Sequence, residues 1–149
     1  ALEGRKYTNI NFVPFLKTNS EVNELLNAID IDLTGLSGGE GWNIPAFNAT
    51  CLGKWSVVLN NTSHKDWANE SNSILIEPDG KQEIYDGAFF HKGAEFNQGY
   101  MCTFSKESFS SAVEKAVNKC NSINTEGEKL KNEFTYEKTI SKILKIIET

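Results

Sequence analysis

Hydrophobic residues fall along this chain in two alternating rhythms. Val22, Leu25, Leu26 and Ile29 recur at intervals of three and four, behind Thr18 and Glu21 at capping-box spacing, which predicts an amphipathic helix. Short, mostly apolar runs at residues 9–15 (NINFVPF), 31–36 (IDLTGL) and Trp55–Leu59 (WSVVL) read as strands, and Ile74–Ile76 as a shorter one closed by Pro78-Asp79-Gly80. Pro45 at a first helical position and Gly53 just past the end bracket a short helix over residues 45–52, and residues 64–69 suggest another. Helical spacing returns at Phe109, Ala112, Val113, Ala116, Val117 and Cys120. After a connector at residues 121–127, it returns again at Tyr136, Ile140, Ile143, Leu144 and Ile147, from a start near Thr135. Residues 1–8 are polar and read as frayed. Residues 79–104, rich in Gly, Phe and Tyr, keep no period and read as a long ordered loop or a hairpin insertion. Strands alternating with helices predict an α/β fold, a Rossmann-like parallel sheet of about four strands with flanking helices. Near-continuous apolar strands fit burial on both faces.

At 149 residues the chain reads as one domain, 1–149. A net charge of -5 and a pI near 5.1 exclude nucleic acid as the main partner. No apolar run has membrane-spanning length, so no membrane insertion and no leader are expected. Cys51, Cys102 and Cys120 are odd in number and widely spaced, giving neither a disulfide framework nor a zinc pattern. Reduced thiols and a cytoplasmic location are expected. The Asn-x-Ser/Thr triplets at Asn48, Asn60, Asn61 and Asn69 are read as chance in an Asn-rich chain.

The candidate chemistry lies at Ser37-Gly38-Gly39-Glu40-Gly41-Trp42-Asn43-Ile44, between a predicted strand and a predicted helix N-terminus. Glycines let the backbone approach a ligand, a helix N-terminus presents N–H groups to phosphate, and a carboxylate accepts from sugar hydroxyls. The pattern suits an anionic ligand with hydroxyls. Each residue also has a plainer reading. Glu40 is either a sugar ligand or a solvated loop carboxylate. Asn48 either contacts ribose or faces solvent. The Trp42 side chain either stacks on a base or sugar or, as favoured here, packs the loop against the core. His91 lacks a partner carboxylate and reads as a loop histidine, Asp66 as a helix cap beside His64, and Cys51 as a small core residue. Glu126, Glu128, Glu133 and Glu137, with their lysines, read as a solvated helical face.

The order of these pieces resembles the second half of the C-terminal, nucleotide-sugar-binding domain of GT-B glycosyltransferases of the retaining group 1, or family 4, type. The matching residues are Ser37, Glu40-Gly41-Trp42-Asn43-Ile44-Pro45, Gly53-Lys54-Trp55-Ser56-Val57-Val58, residues 66–70, Ile74-Leu75-Ile76-Glu77-Pro78-Asp79-Gly80 and Phe134-Thr135-Tyr136. The resemblance implies a nucleotide-diphosphate sugar as ligand. Glu40 would hold donor-sugar hydroxyls, and the N–H groups of Gly41, Trp42, Asn43 and Ile44 would contact the sugar and diphosphate. Ser37 and Asn48 fall at nucleotide-binding positions. Asn48 stands where the family has a second Glu, a change worth about 1–2 kcal/mol of nucleotide affinity. Asn43 replaces a glycine, and Asn tolerates positive φ. The family's phosphate-neutralising Arg and Lys have no counterpart, since Arg5-Lys6 is misplaced, and the acceptor-binding domain is missing. The chain therefore reads as a truncated GT-B C-terminal domain, part of a retaining hexosyl transfer enzyme and inactive alone. The alternative is a non-catalytic sugar- or nucleotide-binding or interaction module keeping only the fold. The catalytic residue stays unassigned, and neither metal nor cofactor is expected. Asp30-Ile31-Asp32 opens a strand, at the wrong end for a ligand. A sheet edge left open predicts a homo-oligomer formed through the aromatic stretch at residues 85–104.

Overall fold

The computed structural model describes residues 4–96 and 98–148. Along the chain run α1 (Asn19–Ala28), β1 (Ile31–Gly35), α2 (Ile44–Cys51), β2 (Trp55–Leu59), a 3-10 turn (Thr62–Asp66) and β3 (Ile74–Ile76). They are followed by β4 (Gly80–Glu83), β5 (Tyr100–Thr103), α3 (Lys106–Lys119), α4 (Thr125–Glu133) and α5 (Tyr136–Ile147). β1, β2 and β3 form a parallel sheet in that order, with Trp55 beside Ile31 and Val57 beside Ile74. This is a Rossmann-like α/β arrangement.

The central strand explains the layers. Trp55, Val57 and Leu59 point to one face, where Ala112 and Ala116 of α3 pack with Ile74 and Ile76. Val58 points to the other, against Ala46 of α2, Leu130 of α4, and Trp67. Both faces are covered, so every residue of β2 is buried and the strand reads as an unbroken apolar run. Its one polar member is satisfied internally. Ser56 Oγ donates to the Ala46 carbonyl (3.2 Å) and accepts from Thr50 Oγ1 (2.9 Å).

Four expectations need correction. Residues 9–15 join no ladder, so the parallel sheet has three strands rather than about four. Phe12 and Phe15 are 79% and 89% exposed, and α1 has no buried residue that would draw this segment onto the sheet. The second helix begins at Ile44, leaving Pro45 in the first turn, where its missing N–H has no helical partner to lose. Residues 64–69 do not form a helix; the 3-10 turn ends at Asp66. Residues 121–127 are not all connector, because α4 starts at Thr125. With Leu130 as its only large apolar residue, α4 carries almost no periodic signal. The stretch at 79–104 is a hairpin, β4 antiparallel to β5, as one of its two readings held.

Candidate functional site

The loop after β1 is built from the strand upward. Asp32 is buried, and its Oδ1 accepts from the N–H (3.2 Å) and hydroxyl (2.8 Å) of Thr34. That turn accompanies a register shift between Asp32 and Gly35, so Leu33 and Thr34 leave the regular ladder and face outward. Such bulges re-aim a strand beside a site. The Thr34 carbonyl then accepts from Asn43 Nδ2 (2.8 Å), which ties the two ends of the loop together.

Asn43 takes the left-handed conformation, φ 60, which Asn tolerates better than most residues, and its Oδ1 caps α2 by accepting from the Ala46 N–H (3.3 Å). Pro45 has no N–H. The helix therefore offers a ligand only its first donor, Ile44. Among the described residues, the N–H groups of Gly41, Trp42, Asn43 and Ile44 donate to no other group of the chain. These four residues line, with Glu40, an open depression of about 470 Å³, completed by Thr34 and Pro45. Among the described residues, Glu40 is the only charged one of that lining. The depression sits at the carboxyl end of β1, where ligands of open α/β sheets bind.

Gly38 fixes the loop's far side. Its carbonyl accepts from Cys102 N–H of β5 (2.9 Å) and from Asn61 Nδ2 (2.6 Å). A Cβ at residue 38 would fall on the Cys102 carbonyl oxygen, so only glycine fits. Ser37 Oγ bonds locally, accepting from the Gly39 N–H (3.4 Å).

The other candidates are dispersed. The Trp42 ring packs edge-on against Phe47 and Phe134, and its carbonyl accepts from Trp67 Nε1, so the side chain is a packing element. Asn48 lies one helical turn along α2 from Ile44 and lines a different cleft, about 560 Å³, between α1 and α2, with Val22, Leu26, Leu52 and Lys131. Ile44 borders both hollows. Cys51 lines the same cleft, and burial pushes its thiol up to about 11, against the opposing charge of Lys131. His64 is fully buried with Nδ1 2.7 Å from the Leu59 carbonyl, whereas Asp66 is exposed; His91 sits exposed on the hairpin loop. Among the described residues no group of three or more His, Cys, Asp or Glu side chains could hold a metal ion, and no helix is long and apolar enough to cross a membrane.

Sequence reasoning missed Asn61 and Thr62. They lie just after β2 in the overlapping Asn-x-Ser/Thr triplets at Asn60 and Asn61, which say nothing of this contact, and only the fold brings them back to Gly38 and Glu40. No known protein family, curated protein or solved structure matches this chain.

Proposed function

We propose that the chain binds a nucleotide-diphosphate sugar through the loop after β1, as the donor-binding part of a retaining GT-B hexosyltransferase. One observation carries the reading. Glu40 and four residues whose backbone N–H groups the protein leaves unused, Gly41 to Ile44, line one depression at the carboxyl end of a parallel sheet. The carboxylate suits sugar hydroxyls, and the N–H groups suit the sugar and diphosphate oxygens. The adjoining cleft, across the Ile44 rim, offers Asn48 to a ribose and the apolar Val22, Leu26 and Leu52 to a base. In this reading the protein works in the cytoplasm with its three free thiols reduced, and copies of the chain associate through exposed apolar surface.

Departure of a nucleoside diphosphate calls for positive charge as well as N–H donors. Among the described residues the depression has no cation in its lining, so the chain alone is expected to bind donor weakly and to transfer no sugar. That observation, with the Asn43 side chain seated on the helix N-terminus, favours a second reading, a binding or interaction module without catalysis.

Calorimetric titration with UDP, GDP and their hexose conjugates tests both. The conjugate should bind, and Glu40→Ala should weaken it about tenfold while barely changing the free nucleotide, the size expected for a charge-assisted hydrogen bond. Equal losses would remove the sugar assignment. No binding of any of these ligands would leave the interaction module.

A further inference from the structure

The turn after β2 holds the most unusual backbone beside the site. Thr62 adopts φ 42, a left-handed conformation that a β-branched residue rarely takes. Strain of this kind persists only where surrounding structure imposes it, and it concentrates at functional sites. What Thr62 gains there is specific. Its exposed side chain reaches 22 residues back along the sequence, and Oγ1 accepts the backbone N–H of Glu40 (3.3 Å). Its neighbour Asn61 is buried and donates from Nδ2 to the Gly38 carbonyl (2.6 Å). Consecutive residues of one turn thus grip the glycine loop at both sides of Gly39. The Cys102 N–H shares the Gly38 carbonyl and Ser37 Oγ bonds Gly39 locally, but the Glu40 N–H has Thr62 Oγ1 as its partner, and Gly39 and Gly41 leave open space where a side chain would sit.

We infer that Thr62 and Asn61 are positioning residues, which hold Glu40 at the edge of the depression with its carboxylate presented to the ligand. This rests on the reading of the depression as a donor-sugar site. It assigns the strained turn a cause: the left-handed conformation at Thr62 carries the hydroxyl to the Glu40 N–H. A turn that served only the fold would have no use for the hydroxyl and would accept glycine at φ 42 with relief of strain.

That difference gives the test. Thr62→Gly removes the hydroxyl and the strain together, and Thr62→Ser keeps the hydroxyl. A protease specific for glutamate reports on the loop without ligand, through the rate of cleavage after Glu40 followed by mass spectrometry. Thr62→Gly should leave the melting temperature equal or higher, yet raise that rate about fivefold, the equilibrium change expected for one neutral hydrogen bond. Thr62→Ser should return it close to the unmodified rate. Equal rates in all three proteins would overturn the inference. In parallel, UDP-hexose and UDP are titrated. Thr62→Gly should lose affinity for the conjugate and keep it for UDP, as Glu40→Ala does. A faster cleavage with undiminished preference for the conjugate would also overturn the positioning role. If the unmodified protein binds neither ligand, the donor-site reading fails, and the cleavage rates alone decide whether Thr62 holds the loop.

Discussion

At the scale of single residues, the fold depends on polar side chains that no periodicity reveals. Asn124 is almost fully buried and works at three positions. Its Nδ2 donates to the carbonyls of Lys54 (3.0 Å) and Asn72 (2.7 Å), and its Oδ1 accepts from the Gly127 N–H (2.9 Å). It thereby joins the entry to β2, the entry to β3 and the first turn of α4. Asn124→Ala strands two buried backbone groups and a part-buried one and is expected to lower stability by about 3 kcal/mol, read from the midpoint of urea unfolding. A loss under about 1 kcal/mol would mean that water replaces the amide. Cys51 gives a second expectation at this scale. With its thiol pushed up to about 11 by burial, it should stay unmodified by iodoacetamide at neutral pH in the folded protein and react once urea unfolds the chain, both read by mass spectrometry. Rapid alkylation of the native protein would contradict the raised thiol.

Among the elements, α1 shows how much of the structure is local. Thr18 Oγ1 accepts from the Glu21 N–H (3.2 Å), and Glu21 Oε2 accepts in return from the Thr18 N–H (2.9 Å), the reciprocal bonds that the sequence spacing predicts. These bonds, first from the Thr18 side chain and then from the Thr18 and Lys17 backbone, hold the exposed Glu21 carboxyl below its usual range. The sign follows from the depressed value. The cap is intact above the ordinary Glu range and is lost as pH falls through the lowered one. Amide resonances of residues 18–22 should therefore shift together on acidification, and Glu21→Gln should remove that shared titration. The helix was legible because its cap and its apolar spacing lie within a dozen residues. β2 and α3 were legible for the same reason. The segment at 9–15 was misread because apolar composition states what a strand wants and says nothing of whether a neighbour is present to pair with it. α4 was missed because contacts through Gly127 and Leu130, with Asn124 as cap, leave too few apolar residues to set a period. In the candidate site, Glu40 to Ile44 could be read from the chain as one strand-loop-helix connection. Thr62 and Asn61 could not, because their partners lie more than twenty residues away and the pairing exists only once β1 and β2 are side by side.

For the whole molecule, the apolar surface left uncovered sets the expected behaviour. Among the described residues, Ile140, Ile143, Leu144 and Ile147 form a stripe on α5 that is about half exposed or more, and α5 has no buried residue. Phe12 and Phe15 stand free before α1. On the β4–β5 hairpin loop, Phe89 is 86% and Phe96 69% exposed, around a turn in which Asp86 Oδ1 accepts from the N–H groups of Ala88, Phe89 and Phe90. Single exposed apolar residues are ordinary, but clusters of this kind favour association. The net charge of -5 opposes it only weakly at physiological salt, where screening acts over about 8 Å. The chain is therefore expected to sediment as a dimer or larger species at micromolar concentration. If the aromatic hairpin is the contact, Phe89→Ser with Phe96→Ser should return it toward monomer, with no change in the far-ultraviolet circular dichroism. Ile143→Lys on α5 separates the alternatives, because it should dissociate the assembly only if that stripe is the contact. A monomer that binds no hydrophobic dye would mean that α5 and the hairpin fold back onto the domain in solution and seal these surfaces within one chain.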